Sequence, residues 1–181
     1  MTRSAKFKNN LLRFRRDEDG AALLIEFALF VPLLFASFLM AVEMGLYSMR
    51  EMWLDRGLDM AVRYVRLNTD ENYTHDEIKQ MVCDGAGWLE NCDGTLRLEM
   101  IEVDPRNFAQ FLPDADCVDT SEPIEPVRGF TLGEQNQLMM LRACVKFDPV
   151  YPGTGLGFEF AKDGSGQVKM ISVAAFVQEP T

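Results

Sequence analysis

The sequence predicts an α+β protein: a long N-terminal transmembrane and amphipathic helix packed on a small antiparallel sheet, with a disulfide-stapled loop region. Three observations predict it. An apolar run at 21–42 holds a single ionisable residue, Glu26. Helical spacing of apolar residues continues past that run to about residue 67. Three short alternating stretches and four cysteines follow, all beyond the apolar run.

The 22 residues of the apolar run would span ~33 Å as a helix, which matches the hydrocarbon core of a bilayer. A cleaved secretory signal has a shorter apolar core, of about 7–15 residues. Charge sets the expected orientation. Residues 1–20 carry Arg3, Lys6, Lys8, Arg13, Arg15 and Arg16 against three acids, a net charge of +3. After the run, Arg50 and Arg56 are diluted by Glu43, Glu51 and Asp55. By the positive-inside rule the N-terminus stays in the cytoplasm and the chain from about 45 onward is exported. The expected organisation is a basic cytoplasmic leader at 1–20, a transmembrane helix at 21–43, an exported continuation of that helix at 44–67, and a periplasmic α+β head at 68–181. Pro32 removes one backbone hydrogen bond and should kink the membrane helix, which neighbouring helices or water make tolerable.

In "EMGLYSMREMWLDRGLDMAVRYVRL" (43–67), Leu46, Met49, Trp53, Met60, Val62 and Tyr64 recur at helical spacing among charged residues. Asp59 and Arg63 stand four apart, which suits pairing on a helix. Gly45 and Gly57 are candidate soft points. "THDE" (74–77) has the form of a capping box, predicting a short helix over 75–83. "TLRLEMIEV" (95–103), "QLMMLRACVKF" (137–147) and "QVKMISVAAFV" (167–177) predict three strands. The proline-rich stretch from 104 to about 129 has no clear period and reads as a long surface loop.

The body after residue 20 carries −13 of the total −10. So acidic a body argues against nucleic-acid binding, which needs a basic face for the phosphates. Cys83, Cys92, Cys117 and Cys144 all fall in the exported part, where an even number reads as two disulfides with three possible connectivities. Pairing Cys83 with Cys92 and Cys117 with Cys144 closes the shortest loops. A zinc site is poorly supported: there is no Cys-x-x-Cys, and His75 is the one histidine. No metal or other cofactor is expected. No catalytic constellation appears either, since His75 sits at a helix start, where it should be solvent-exposed, with no orienting partner in sight. "DGSGQ" (163–167) reads as a hairpin turn and not a phosphate loop, and "PGTGLGF" (152–158) lacks the strand-to-helix context of one.

Glu26 needs an explanation of its own, because a carboxylate within lipid costs several kcal/mol and is usually paired. A charged head, a small residue, a few apolar residues, Glu and then a long apolar helix is the pattern of type IV prepilins. "DEDGAALLIEFALFVP" resembles more closely the "DxxG" and "EFAL…P" of TadE/TadF-like pseudopilins from tight-adherence (Tad, Flp) pilus systems. The likeness extends through "VEMGLY" and "LDRGLDMAVR", and "SVAAFVQEP" is similar to the family's closing strand.

The resemblance implies a minor pilin-like subunit that acts in pilus assembly or initiation from the bacterial inner membrane. Its expected partners are a prepilin peptidase, other pilin or pseudopilin subunits, inner-membrane assembly proteins and the lipid bilayer. The peptidase would remove the leader at Gly20, Ala21 and Ala22. A cut after Gly20 satisfies the family's preference for glycine before the bond and makes Glu26 the sixth residue. A cut after Ala21 makes it the fifth, the usual place, and both bonds stay open. The new α-amine is largely cationic at neutral pH, and Glu26 would neutralise such an amine on a neighbouring subunit, setting register within the membrane. The alternative is an unprocessed single-pass module with a periplasmic binding or sensor head, in which Glu26 faces a helix bundle.

Overall fold

A computed structural model describes residues 19–106, 114–115, 117–118, 129–153 and 155–180, with side chains from Leu23 onward. The basic leader before Asp19 and most of the expected surface loop lie outside the described residues. The chain divides into two units, Met1–Val42 and Glu43–Thr181. The fold is α+β. In order along the chain are α1 (Asp19–Leu67), α2 (His75–Gly85), α3 (Cys92–Thr95), β1 (Arg97–Glu102), β2 (Leu138–Phe147), α4 (Gly155–Glu159) and β3 (Val168–Val177). The predicted helices and strands appear with ends shifted by no more than two residues.

In the second unit, strand order is β1-β2-β3 and both pairings are antiparallel. The register puts Leu98 opposite Ala143, Leu141 opposite Ala174 and Val145 opposite Met170. These residues share the inner face with Met100, Met139 and Phe176, all buried. Against them α1 lays Leu54, Leu58, Ala61 and Val65, each at most 1% exposed and spaced to fall on one helical stripe. Ile78 and Val82 of α2 complete the core. The stripe expected from sequence lies on a different face. Met49, Met60 and Tyr64 are 36%, 53% and 45% exposed, while Leu46, Trp53 and Val62 are half-buried. A hydropathy stripe on a helix with apolar residues on several faces does not say which face the sheet will select. The selected one is the narrow stripe that lets a second helix approach closely.

That approach also corrects the reading of Gly57 as a soft point. A Cβ on Gly57 would lie 2.3 Å from the Val82 carbonyl oxygen, and one on Gly85 would lie 2.9 Å from Gly57 Cα. The two glycines let α1 and α2 touch backbone to backbone. Gly45 has nothing within 4 Å of its Cβ position, yet α1 continues through both positions.

Thr74 caps α2 as its sequence predicts. The Glu77 N–H donates to Thr74 Oγ1 at 3.3 Å and the Thr74 N–H to Glu77 Oε2 at 2.7 Å, which holds the Glu77 carboxyl below its ordinary range. His75, expected at the surface, is a structural correction: its side chain is 15% exposed. Its Nε2 accepts the Leu98 N–H at 3.3 Å and its ring meets Phe130 edge-on. The first residue of a helix points back over the chain before it, and here β1 lies in that direction. "DGSGQ" is a turn, with the Asp163 N–H on the Gln167 carbonyl at 2.9 Å and Lys162 bridging to Val168.

Candidate assembly site on the apolar helix

In the first unit α1 is already helical at Asp19, so the backbone of Gly20, Ala21 and Ala22 belongs to its opening turns. From Leu23 to Phe35 the large apolar side chains other than Val31 are 57% to 71% exposed. Leu23, Leu24, Ile25, Phe27, Leu29 and Phe30 surround Glu26 in sequence and stand out on every side of the helix. This is the one helix among the described residues long and apolar enough to cross a membrane. Pro32 lies within it and lacks the N–H that would reach the Ala28 carbonyl.

Glu26 is exposed, and among the described residues it has no hydrogen-bond or ion-pair partner. Helical geometry sets Leu23, Leu29 and Phe30 beside it at three- and four-residue spacings, with Leu33 seven residues along on the same face. The surface there is a broad apolar face with one carboxylate in it. Chemically it can bury hydrocarbon and accept hydrogen bonds from, or neutralise, one cationic group. Among the described side chains around Glu26 there is no hydrogen-bond donor and no second carboxylate.

The cysteines form two disulfides. Cys83–Cys92 joins α2 to α3 with Cα atoms 5.7 Å apart, and Cys117–Cys144 fastens residue 117 to β2 with Cα atoms 5.3 Å apart. Cys144 lies on the outer face of the sheet, opposite Arg97 and Ile171 in the ladders. That outer face carries buried charge that sequence reading did not single out. Arg142 and Glu99 are ladder partners whose side chains pair at 2.6 Å, and Arg142 also donates to the Asp114 carbonyl at 3.1 Å. Lys146, two positions beyond Cys144, pairs with Asp163 at 2.5 Å. Ser165 Oγ and the N–H groups of Ser165 and Gln167 also donate to Asp163. Burial alone would raise the Asp163 carboxyl; these donors and the Lys146 ammonium together bring it down to about 2. The period-two placing of Arg142, Cys144 and Lys146 was the available signal, since all three must share one face of the strand.

Glu43 is the second functional-looking carboxylate, and nothing in its sequence neighbourhood marks it. It opens the second unit and is only 2% exposed. Its Oε1 accepts the Val150 N–H at 3.0 Å and its Oε2 the Tyr151 N–H at 3.2 Å. One turn later Tyr47 stacks on Phe160 with centroids 5.4 Å apart and meets Phe147 edge-on at 5.9 Å. A buried carboxylate is stable where backbone donors replace its water, and the partner segment is more than a hundred residues away in sequence.

No protein-family model, curated protein or solved structure matches this chain.

Proposed function

We propose that this chain is a minor pilin-like subunit that serves assembly or initiation of a Tad-type pilus, and that its role is structural and not catalytic. In this reading a prepilin peptidase cuts at Gly20–Ala21 or Ala21–Ala22 on the cytoplasmic face, α1 anchors the product in the bacterial inner membrane, and the disulfide-stapled head stands in the periplasm. The observation that carries the reading is Glu26: a lone carboxylate six residues after Gly20, without a partner among the described residues, in an apolar helix whose "DEDGAALLIEFALFVP" resembles the prepilin pattern.

Its mechanism follows from the cost of isolation. A carboxylate in hydrocarbon costs several kcal/mol. A neighbouring subunit's N-terminal ammonium, created by the cut, removes that cost and supplies one of its own to be removed. Subunits out of register leave both charges unpaired, so the pair sets position along the helix, while the surrounding Leu and Phe side chains supply unspecific contact. A helix advances ~1.5 Å and turns ~100° per residue, which makes the choice of cleavage bond part of the register. The bitopic alternative shares the anchor and dispenses with the cut.

Intact mass and N-terminal sequence of the membrane-bound protein, with and without the cognate prepilin peptidase, separate the two. Peptidase-dependent loss of residues 1–20 or 1–21 is expected. A full-length chain under both conditions refutes the pilin-like reading.

A further inference from the structure

We infer that the loop around Val150 and Phe158 is a second membrane contact, an interfacial foot that seats the head on the headgroup region of the bilayer in which α1 is anchored. The inference rests on the membrane-spanning reading of α1 and extends it to a surface of the second unit.

The argument begins with Glu43. It is the residue that follows the apolar run, so its place in the chain is where a spanning helix leaves hydrocarbon. Its carboxylate is committed to the backbone of Val150 and Tyr151, and Tyr47 holds Phe160. Two stretches of the β2–β3 connection, 148–153 and 155–160, are thereby tied to the first turn and a half of exported helix. α4 packs back on the first of them. A Cβ on Gly157 would fall 2.4 Å from the Tyr151 carbonyl oxygen, so only glycine allows that contact. Lys162 closes the loop from the other side, donating to the Pro152 carbonyl at 3.0 Å with its ammonium 5.8 Å from the Phe158 ring.

So braced, the loop presents its apolar residues outward. Phe158 is 63% exposed and Val150 45% exposed. An aromatic ring, a valine, a tyrosine and a lysine together suit the membrane–water boundary, where rings sit at headgroup level and lysine extends toward water. The loop is held at Glu43, the residue at which the apolar run ends in sequence, which names the bilayer as what covers the loop.

The opposite end of the head supplies the control. Val177 is 49% exposed and lies at the far end of β3, where Glu179 pairs with Arg66 at 2.9 Å. Arg66 is ~35 Å along α1 from Glu43 by helical rise.

The test uses the full chain with Trp53 and Trp88 changed to phenylalanine, reconstituted in phosphatidylcholine nanodiscs brominated, in parallel preparations, near the headgroup end and near the methyl end of the acyl chains. Single reporters are Phe158→Trp, Val177→Trp and Leu33→Trp. Phe158→Trp should lose most of its emission to the bromines and shift to the blue, with Val177→Trp unaffected and Leu33→Trp quenched. Unquenched Phe158→Trp beside quenched Leu33→Trp overturns the foot and leaves the anchor standing. Unquenched Leu33→Trp overturns both. Equal quenching at 158 and 177 overturns the foot as well, because it would mean the head lies on the bilayer without a specific contact.

Discussion

Acid should weaken the head through one identifiable pair. Asp163 is held at about 2 against an ordinary 3.8, with its side chain 15% exposed and that of Lys146 7% exposed. A folded-state carboxyl below its unfolded value contributes stability that is fully present above the unfolded pKa and vanishes as pH falls through the folded one. At ~1.4 kcal/mol per pKa unit the contribution is about 2 kcal/mol. Asp163→Asn isolates it, since the amide oxygen can still accept the Ser165 and Gln167 N–H bonds that shape the turn. Urea unfolding of the full chain in detergent, followed by Trp53 and Trp88 emission, should show wild type ahead by about 2 kcal/mol at pH 6. The lead should hold down to about pH 4 and close between about 4 and 2. Comparing the two proteins at each pH cancels the other carboxylates. A difference that stays constant from pH 6 to 2 would refute the assignment, and one that widens on acidification would reverse its sign.

Three further perturbations test the packing. Gly57→Ala should destabilise the head by about 1–3 kcal/mol in the same assay, because the Val82 carbonyl blocks the new methyl; Gly45→Ala, with open space, should instead gain up to ~1 kcal/mol of helix propensity. Replacing Cys117 and Cys144 with alanine, a pair separated by 27 residues, should cost more than replacing Cys83 and Cys92, separated by 9; loop-closure entropy gives about 3.5 against about 2.6 kcal/mol, to be read from urea midpoints of the two variants. Glu43→Ala leaves the Val150 and Tyr151 amides without their acceptor, so about 2 kcal/mol should be lost and hydrogen exchange at those two amides should accelerate while the core strands hold.

What the sequence made legible follows the range of the interactions involved. The capping box, the helix it starts and the three strands are written in residues within a turn or two of each other, and each was readable. The cysteine pairing was readable only as the shortest of three connectivities, and the folded chain adopts that one. The face of α1 that meets the sheet was not readable. Leu54, Leu58, Ala61 and Val65 are chosen by a crossing at Gly57 and Gly85, a contact between residues 28 apart whose signal is an absence of side chain. The buried place of His75 is hidden from the sequence for the same reason, since its acceptor role depends on where β1 passes.

Glu26 within the apolar run and Glu43 just after it make the contrast sharpest. Glu26 is conspicuous in sequence because every neighbour is apolar, and in the fold it still has no partner among the described residues. Glu43 is inconspicuous, one acid among several at the end of the run, and in the fold it is 2% exposed with two backbone donors. Any carboxylate removed from water makes the same physical demand, to be met by donors or a counter-charge. The chain meets it internally for Glu43, from the connection between β2 and β3, and so fixes a loop at the point where the helix leaves its apolar stretch. For Glu26 nothing within the described chain meets it. In the proposed reading, where α1 spans a bilayer, that demand falls on a neighbouring subunit's N-terminal ammonium in the same membrane.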